Sequence, residues 1–293
     1  MPRSSRFNLL LTQIGLTARE RGVFEKHRKS VKSRLTRVFP AYHVETIGSY
    51  SRGSSVRAGS DIDLMLKLRA GERRWGDYRK SSVTVLNKVR LQLQGRFTTT
   101  PVVRDKQAVV IRFSGGHRVD VVPAFYVGIG EHKNPLYAIP DGAGRWMNTS
   151  PQAHNKFIKG EDVRSGGKLL RVAKLIQFWR TRRTPHIALS SFHLELLLAE
   201  TGVCVGVKRY EECLHEAFAL LARRGCRAVR DPLGISGAVA AVNTEAQRVR
   251  AMRTAALAAD QSRRAIVAED EGKLHEADRL WHMVFRIPYK KRR

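Results

Sequence analysis

The chain is short of acidic residues, of cysteine and of long apolar runs, and each scarcity narrows what it can be. Only 26 Asp and Glu stand against 54 Lys and Arg in 293 residues, a formal net charge of +28. Such a chain attracts polyanions: nucleotides, RNA, DNA or an anionic membrane. An Arg-rich but merely solvated surface gives the same number, so charge by itself says nothing about reaction chemistry. Cys204, Cys213 and Cys226 are an odd, sparse set, which excludes a disulfide framework and points to a reducing compartment. Their spacings match no common zinc pattern, so buried structural thiols are expected even with His215 nearby. No run is apolar enough for a transmembrane helix. The N-terminal MPRSSRFNLLLTQIG has a short apolar stretch and no small-residue cleavage site, so no signal peptide and a cytoplasmic location are expected.

What is present is ordinary for a folded protein: 42% hydrophobic and 27% charged residues. The length suggests about two domains. Residues 17–38 predict a helix opened by a capping box of Thr17 and Glu20, with Val23, Phe24, Val31, Leu35 and Val38 on one face and Pro40 as its stop. HVETIG (43–48) and DIDLMLKL (61–68) read as strands, residues 77–95 as a helix, and QAVVIRF (107–113) with RVDVVPAF (118–125) as a hairpin around Gly115 and Gly116. After Pro151 helical periodicity takes over, in 167–180, 190–199, 208–224 and within 236–285. The expected class is α+β, with a mixed-sheet catalytic core over 1–150 and a helical C-terminal lobe over 151–293. The basic tail YKKRR (289–293) is either a nucleic-acid arm or a solvated end.

The chemistry concentrates in IGSYSRGSSVRAGSDIDLMLKL (47–68). On a strand, residues i and i+2 share a side, so Asp61 and Asp63 project together while Ile62 packs into the other face. Two like charges so placed need compensation, and a pair of divalent cations supplies it. Gly48 allows close backbone approach to a ligand, and Ser49 offers a hydroxyl and an N–H to phosphate. Asp120, flanked by Val119 and Val121, is the candidate third carboxylate, a metal ligand and proton acceptor. Two ions held this way would stabilise an in-line displacement at phosphorus. Arg52 and Arg57, between the turn and the Asp pair, are phosphate contacts or solvated loop residues. Trp146 and Trp179 read as core, and His117 and His193 as structural or surface groups.

These residues match the pattern of the DNA polymerase β-like nucleotidyltransferases. GSYSRGSSVRAGSDIDLML (48–66) and RVDVVPAF (118–125) carry the superfamily signature. LYAIPDGAGRWMNTSPQAHN (136–155), LIQFWR (175–180), SSFHLELL (190–197), DPLG (231–234) and ADRLWHMVF (277–285) resemble segments of the bacterial CD-NTase branch. The resemblance implies a two-lobed fold in which Asp61, Asp63 and Asp120 hold two Mg²⁺ ions (Mn²⁺ as substitute) and Ser49 contacts the donor triphosphate. It also implies that Ser191 touches phosphate and Phe192 stacks on a base. One departure stands out: many relatives carry a phosphate-binding lysine where this chain has Gln177, and Lys174, one turn earlier, is the candidate replacement. The function implied is synthesis of a cyclic di- or trinucleotide from nucleoside triphosphates in anti-phage (CBASS) signalling, acting through a downstream effector, with RNA or DNA as a candidate activator and no membrane partner. The competing readings are an RNA 3′-terminal or protein nucleotidyltransferase, and an RNA-binding module on the same scaffold.

Overall fold

A computed structural model describes residues 5–39, 41–57, 61–75, 78–131 and 133–288. The tail YKKRR and part of the loop before Asp61 lie outside the described residues. The chain forms two compact units, one of Leu16–Lys156 with Leu233–Ser236, the other of Met1–Gly15, Phe157–Pro232 and Gly237–Arg293. The first helix, α1 (Ser5–Ile14), therefore belongs with the late helices, a placement absent from the division expected at residue 150.

The first unit is built on a mixed sheet. Helix α2 (Ala18–Val38) opens with the expected capping box, the Thr17 hydroxyl accepting from the Glu20 amide and the Glu20 carboxylate accepting from the Thr17 amide. It ends at Phe39, whose extended backbone suits a residue that precedes proline. Strand β1 (Ala41–Ile47) leads into a one-turn helix, α3 (Gly48–Arg52), and then β2 (Ile62–Leu68). A small ribbon of β3 (Arg74–Trp75) and β4 (Tyr78–Arg79) follows where a helix is expected from residue 77. The helix, α4 (Ser82–Gln94), starts later because Ser81 caps it, its hydroxyl accepting from the Thr84 amide. Strands β5 (Val102–Asp105), β6 (Ala108–Arg112), β7 (Arg118–Ile129), β8 (Pro135–Pro140) and β9 (Trp146–Thr149) complete the sheet.

The strand order is β1-β2-β7-β6-β5, with β8 pairing β7 and β9 pairing β8. Among the described strands only β2 and β7 pair in parallel; β6 and β7 form the expected hairpin. Period-two alternation sorts the sheet's two faces. Ile62, Leu64, Leu66, Val119, Val121 and Phe125 bury against Phe24, Val31 and Leu35 of α2 and Val85, Val89 and Leu93 of α4. Each such side chain contributes roughly 1.5–3 kcal/mol of burial. The intervening residues of β2 and β7 look the other way, and that face is where the acids stand.

The second unit is helical. Helix α5 (Pro151–Arg164) leads into it, followed by α6 (Lys168–Thr181), α7 (Ser191–Thr201), α8 (Tyr210–Arg223), a ribbon of β10 (Val229–Arg230) and β11 (Ala238–Val239), α9 (Glu245–Asp270) and α10 (Leu274–Phe285). Trp179 is fully buried against Phe218 at 5.0 Å between ring centroids. Phe7 of α1 meets the edge of Trp281 of α10 at 5.0 Å. The three cysteines are free and buried, and His215 hydrogen-bonds within the helices, to Ser262 and the Ala259 carbonyl. Among the described residues no helix is long and apolar enough to cross a membrane.

Candidate active site

The sheet brings Gly48, Ser49, Asp61, Asp63 and Asp120 together on the first unit. Asp63 and Asp120 are direct neighbours in the parallel register of β2 and β7, and Ile47 pairs with Asp63 from the other side. Asp61 lies one residue ahead of β2 rather than on it. The glycine is required by geometry: Gly48 has φ +73°, and a Cβ there would lie 1.9 Å from Asp63 Oδ2. The backbone can cross above the carboxylate only without a side chain.

Crowding sets the electrostatics. Burial first, then the charges of Asp120 and Asp61, push the Asp63 carboxyl up to about 8; Arg52 and Arg118 oppose this. Burial also raises Asp120, against the pull of Arg118. Arg118 is the residue that sequence reasoning missed. Its Nε and Nη2 donate to the two Asp120 oxygens at 3.0 and 2.6 Å, and its Nε lies 3.1 Å from Asp61 Oδ2. One guanidinium thus bridges two of the three acids. A signal was available, since Arg118 and Asp120 sit at i and i+2 of one strand. Among the described residues, no three His, Cys, Asp or Glu side chains form a ready-made metal cage.

Beside the acids, the turn after Gly48 gathers a cluster of hydroxyls. Ser49 is buried, with its Oγ 3.5 Å from that of Ser55, a second residue the sequence reading passed over. Ser51 Oγ donates to the Gly48 carbonyl, and Ser54 N–H to the Ser49 carbonyl, closing the turn. Arg52 is buried and donates to Asn155 Oδ1 at 2.9 Å, a structural contact. Arg57 instead pairs with Glu20 of the α2 cap at 2.6 Å. Trp146 is half-buried and donates to the Lys80 carbonyl. His117 packs edge-on against Phe24 at 4.7 Å.

The remaining expected contacts belong to the helical unit. Gln177 is 1% exposed and its Nε2 has no hydrogen-bond partner, whereas Lys174, one turn earlier on α6, keeps part of its surface. The cap of α7 is Ser190, whose hydroxyl accepts from the His193 amide; Ser191 and Phe192 follow as the first helical residues, both half-buried. His193 is buried, its Nε2 against the Arg227 carbonyl at 2.9 Å.

A mixed sheet carrying a Gly-Ser turn over paired aspartates, with a helical C-terminal region, is the architecture of the CD-NTase nucleotidyltransferases. The Vibrio cholerae cyclic AMP-GMP synthase DncV, solved with the linear intermediate 5′ pppA(3′,5′)pG, superposes with a TM-score of 0.72 over 94% of this chain and 92% of its own, at 14% identity. Residues 1–161 match the Second Messenger Oligonucleotide or Dinucleotide Synthetase (SMODS) domain, and the chain belongs to that family. A probable cyclic nucleotide synthase of Bacillus cereus is 24% identical over 201 residues, 60% of each chain. The cyclic AMP-AMP-AMP synthase of Escherichia coli is 27% identical over 181 residues, 59% of this chain and 54% of its own. The chain thus matches little more than half the length of these curated relatives.

Proposed function

We propose that the chain joins nucleoside triphosphates into a cyclic di- or trinucleotide, releasing pyrophosphate at each bond. The observation that carries this reading is the register of Asp63 beside Asp120 beneath the Gly48-Ser49 turn. Acids and a serine-lined turn gathered at the starts of two central strands support it, and the names of the matched relatives agree with it. Asp61, Asp63 and Asp120 are the residues that would hold two Mg²⁺ or Mn²⁺ ions. The donor set fits: three carboxylates are hard oxygen ligands, and their crowding is relieved by positive charge, as the bridging Arg118 attests. The ions would stabilise charge on the attacking and leaving oxygens.

The chain's own groups then have separate tasks. Ser49, with Ser55 at its side, donates to the donor triphosphate. Asp120 accepts the proton of the attacking ribose hydroxyl; burial moves its carboxyl towards the working pH, as a general base requires. Lys174, Ser191 and Phe192 are assigned to triphosphate, phosphate and base, with Lys174 supplying the charge that Gln177 lacks. Orientation and electrostatic preorganisation account for most of the expected rate. A role in anti-phage signalling through an effector that reads the product follows from the same proposal. The net charge of +28 supports a nucleic-acid activator whose binding weakens steeply with salt.

The test is product formation from labelled ATP, GTP, CTP and UTP with Mg²⁺ or Mn²⁺, with and without RNA or DNA. A phosphatase-resistant small product, lost in Asp61→Ala and Asp63→Ala variants of unchanged circular dichroism, is the expected result. Label appearing only on RNA or protein would replace cyclisation with terminal transfer or nucleotidylation. A folded Asp61→Ala/Asp63→Ala double variant with full activity would remove the acids from the chemistry.

A further inference from the structure

The helical unit contains a second site of opposite charge. A cavity of about 740 Å³ is lined by Arg183, Arg250, Arg253, Arg279 and Arg286, and no Asp or Glu is among its lining residues. Helix spacing builds it. Arg250, Arg253, Leu257 and Gln261 follow one face of α9, and Arg279, Met283 and Arg286 one face running through α10.

Two observations separate this cluster from an ordinary basic surface. First, five unpaired arginines meet around one cavity, whereas several others of the unit pair with acids: Arg209 with Glu212, Arg224 with Glu200, Arg248 with Glu245, and Arg263 and Arg264 with Asp260. None of the five cavity arginines has an ion-pair partner among the described residues. Second, Arg183 is only 5% exposed. Its Nη2 donates to the Val284 carbonyl at 2.6 Å and its plane lies over Trp179 at 5.2 Å, which fixes its orientation. Its Nη1 is buried with no hydrogen-bond partner. Burial and the neighbouring Arg286 pull this guanidinium down to about 10, so it is desolvated among like charges. A fixed, buried, unsatisfied N–H at the base of a cationic cavity calls for an anionic acceptor.

We propose that this cavity is a phosphate-binding site, with Arg183 at its base and Arg253, Arg279 and Arg286 around it. A planar guanidinium fork suits the tetrahedral oxygens of phosphate. The phosphate has two sources, a free oligophosphate anion or the backbone of a nucleic acid. The site stands on the helical unit alone and does not depend on the cyclase reading.

Binding of inorganic tripolyphosphate by calorimetry and of a labelled DNA duplex by anisotropy tests it, on the full chain in EDTA so that metal-dependent triphosphate binding is suppressed. The exposed pair Arg253→Glu/Arg279→Glu is compared with Arg37→Glu/Arg104→Glu, which changes the net charge equally on the other unit. At low salt the cavity variant should lose about tenfold or more in affinity and the control about threefold or less. Arg183→Met should show a comparable loss, and the exposed pair decides the matter should that buried variant fail to fold. Loss confined to tripolyphosphate identifies a free anion as the ligand; loss of duplex binding identifies the nucleic-acid backbone. Equal losses in cavity and control variants, or no saturable binding of either probe at low salt, would overturn the proposal.

Discussion

Arg118 acts as an internal counter-cation for acids that are expected to meet metal ions, and this can be tested without measuring turnover. The perturbation is Arg118→Gln, which keeps a polar stem and removes the charge. The guanidinium makes two hydrogen bonds to an Asp120 side chain that is 11% exposed and a third contact to Asp61. Hydrogen bonds to charged groups contribute roughly 1.5–3 kcal/mol. Arg118 is itself 35% exposed, so solvent screening reduces the sum. The expected loss is about 2 kcal/mol, or about 4–8 °C in Tm for a unit of this size. The sign reverses with metal. A dication entering the wild-type site must first displace the guanidinium, whereas in the variant the acids are already released. Mn²⁺ should therefore raise Tm more in Arg118→Gln than in wild type and bind roughly 30-fold more tightly, the factor equivalent to about 2 kcal/mol. Thermal denaturation and Mn²⁺ titration followed by electron paramagnetic resonance read both quantities. Equal Mn²⁺ shifts, or weaker Mn²⁺ binding in the variant, would refute the reasoning and make Arg118 a support for the metal ligands.

Asp63→Asn tests the crowding of the acids. A carboxyl raised to about 8 in the folded chain contributes stability that is full below its unfolded value and is lost as pH rises through 8. The variant should therefore gain on wild type in metal-free buffer between pH 5 and pH 8, and parallel stability curves across that window would contradict the assignment. Gly48→Ala should lower the urea midpoint by the equivalent of about 1–3 kcal/mol, because a positive φ and the Asp63 carboxylate both oppose a Cβ; a midpoint within error of wild type would show that the turn relaxes. Thr17→Ala removes one half of the α2 capping box and should cost about 1 kcal/mol in denaturant unfolding, a prediction that an unchanged midpoint would sink.

What could be read from the sequence was what local chemistry dictates. The α2 capping box is a four-residue signal and the structure reproduces both of its hydrogen bonds. The alternation in residues 61–68 and 118–125 placed Asp63 and Asp120 away from the apolar core, because strand periodicity alone decides the face. That the two acids would be adjacent was not readable, since parallel pairing of β2 with β7 joins segments more than fifty residues apart. Arg118 lies within reach of Asp120 on its own strand, but its bridge to Asp61 exists only once that pairing exists. The boundary error at residue 77 arose from following a helical pattern past a capping serine. The packing of α1 against the late helices depends on contacts such as Phe7 with Trp281, which no local pattern encodes.

That last contact bears on how the protein is made. The sheet unit is nearly contiguous, Leu16–Lys156, and can complete almost all of its pairings while the rest of the chain is still being synthesised. Helix α1 leaves the ribosome earlier still, yet its Phe7 packs against Trp281 and Phe285. At roughly 5–20 residues per second, Phe7 waits about 15–55 s for those partners. Helix α1 can meet α6 and Tyr210 earlier in that interval, but its aromatic cluster with α10 is completed only at the end. The helical unit is thus the last part of the molecule to close, and damage to α10 would reach the opposite end of the sequence through Phe7.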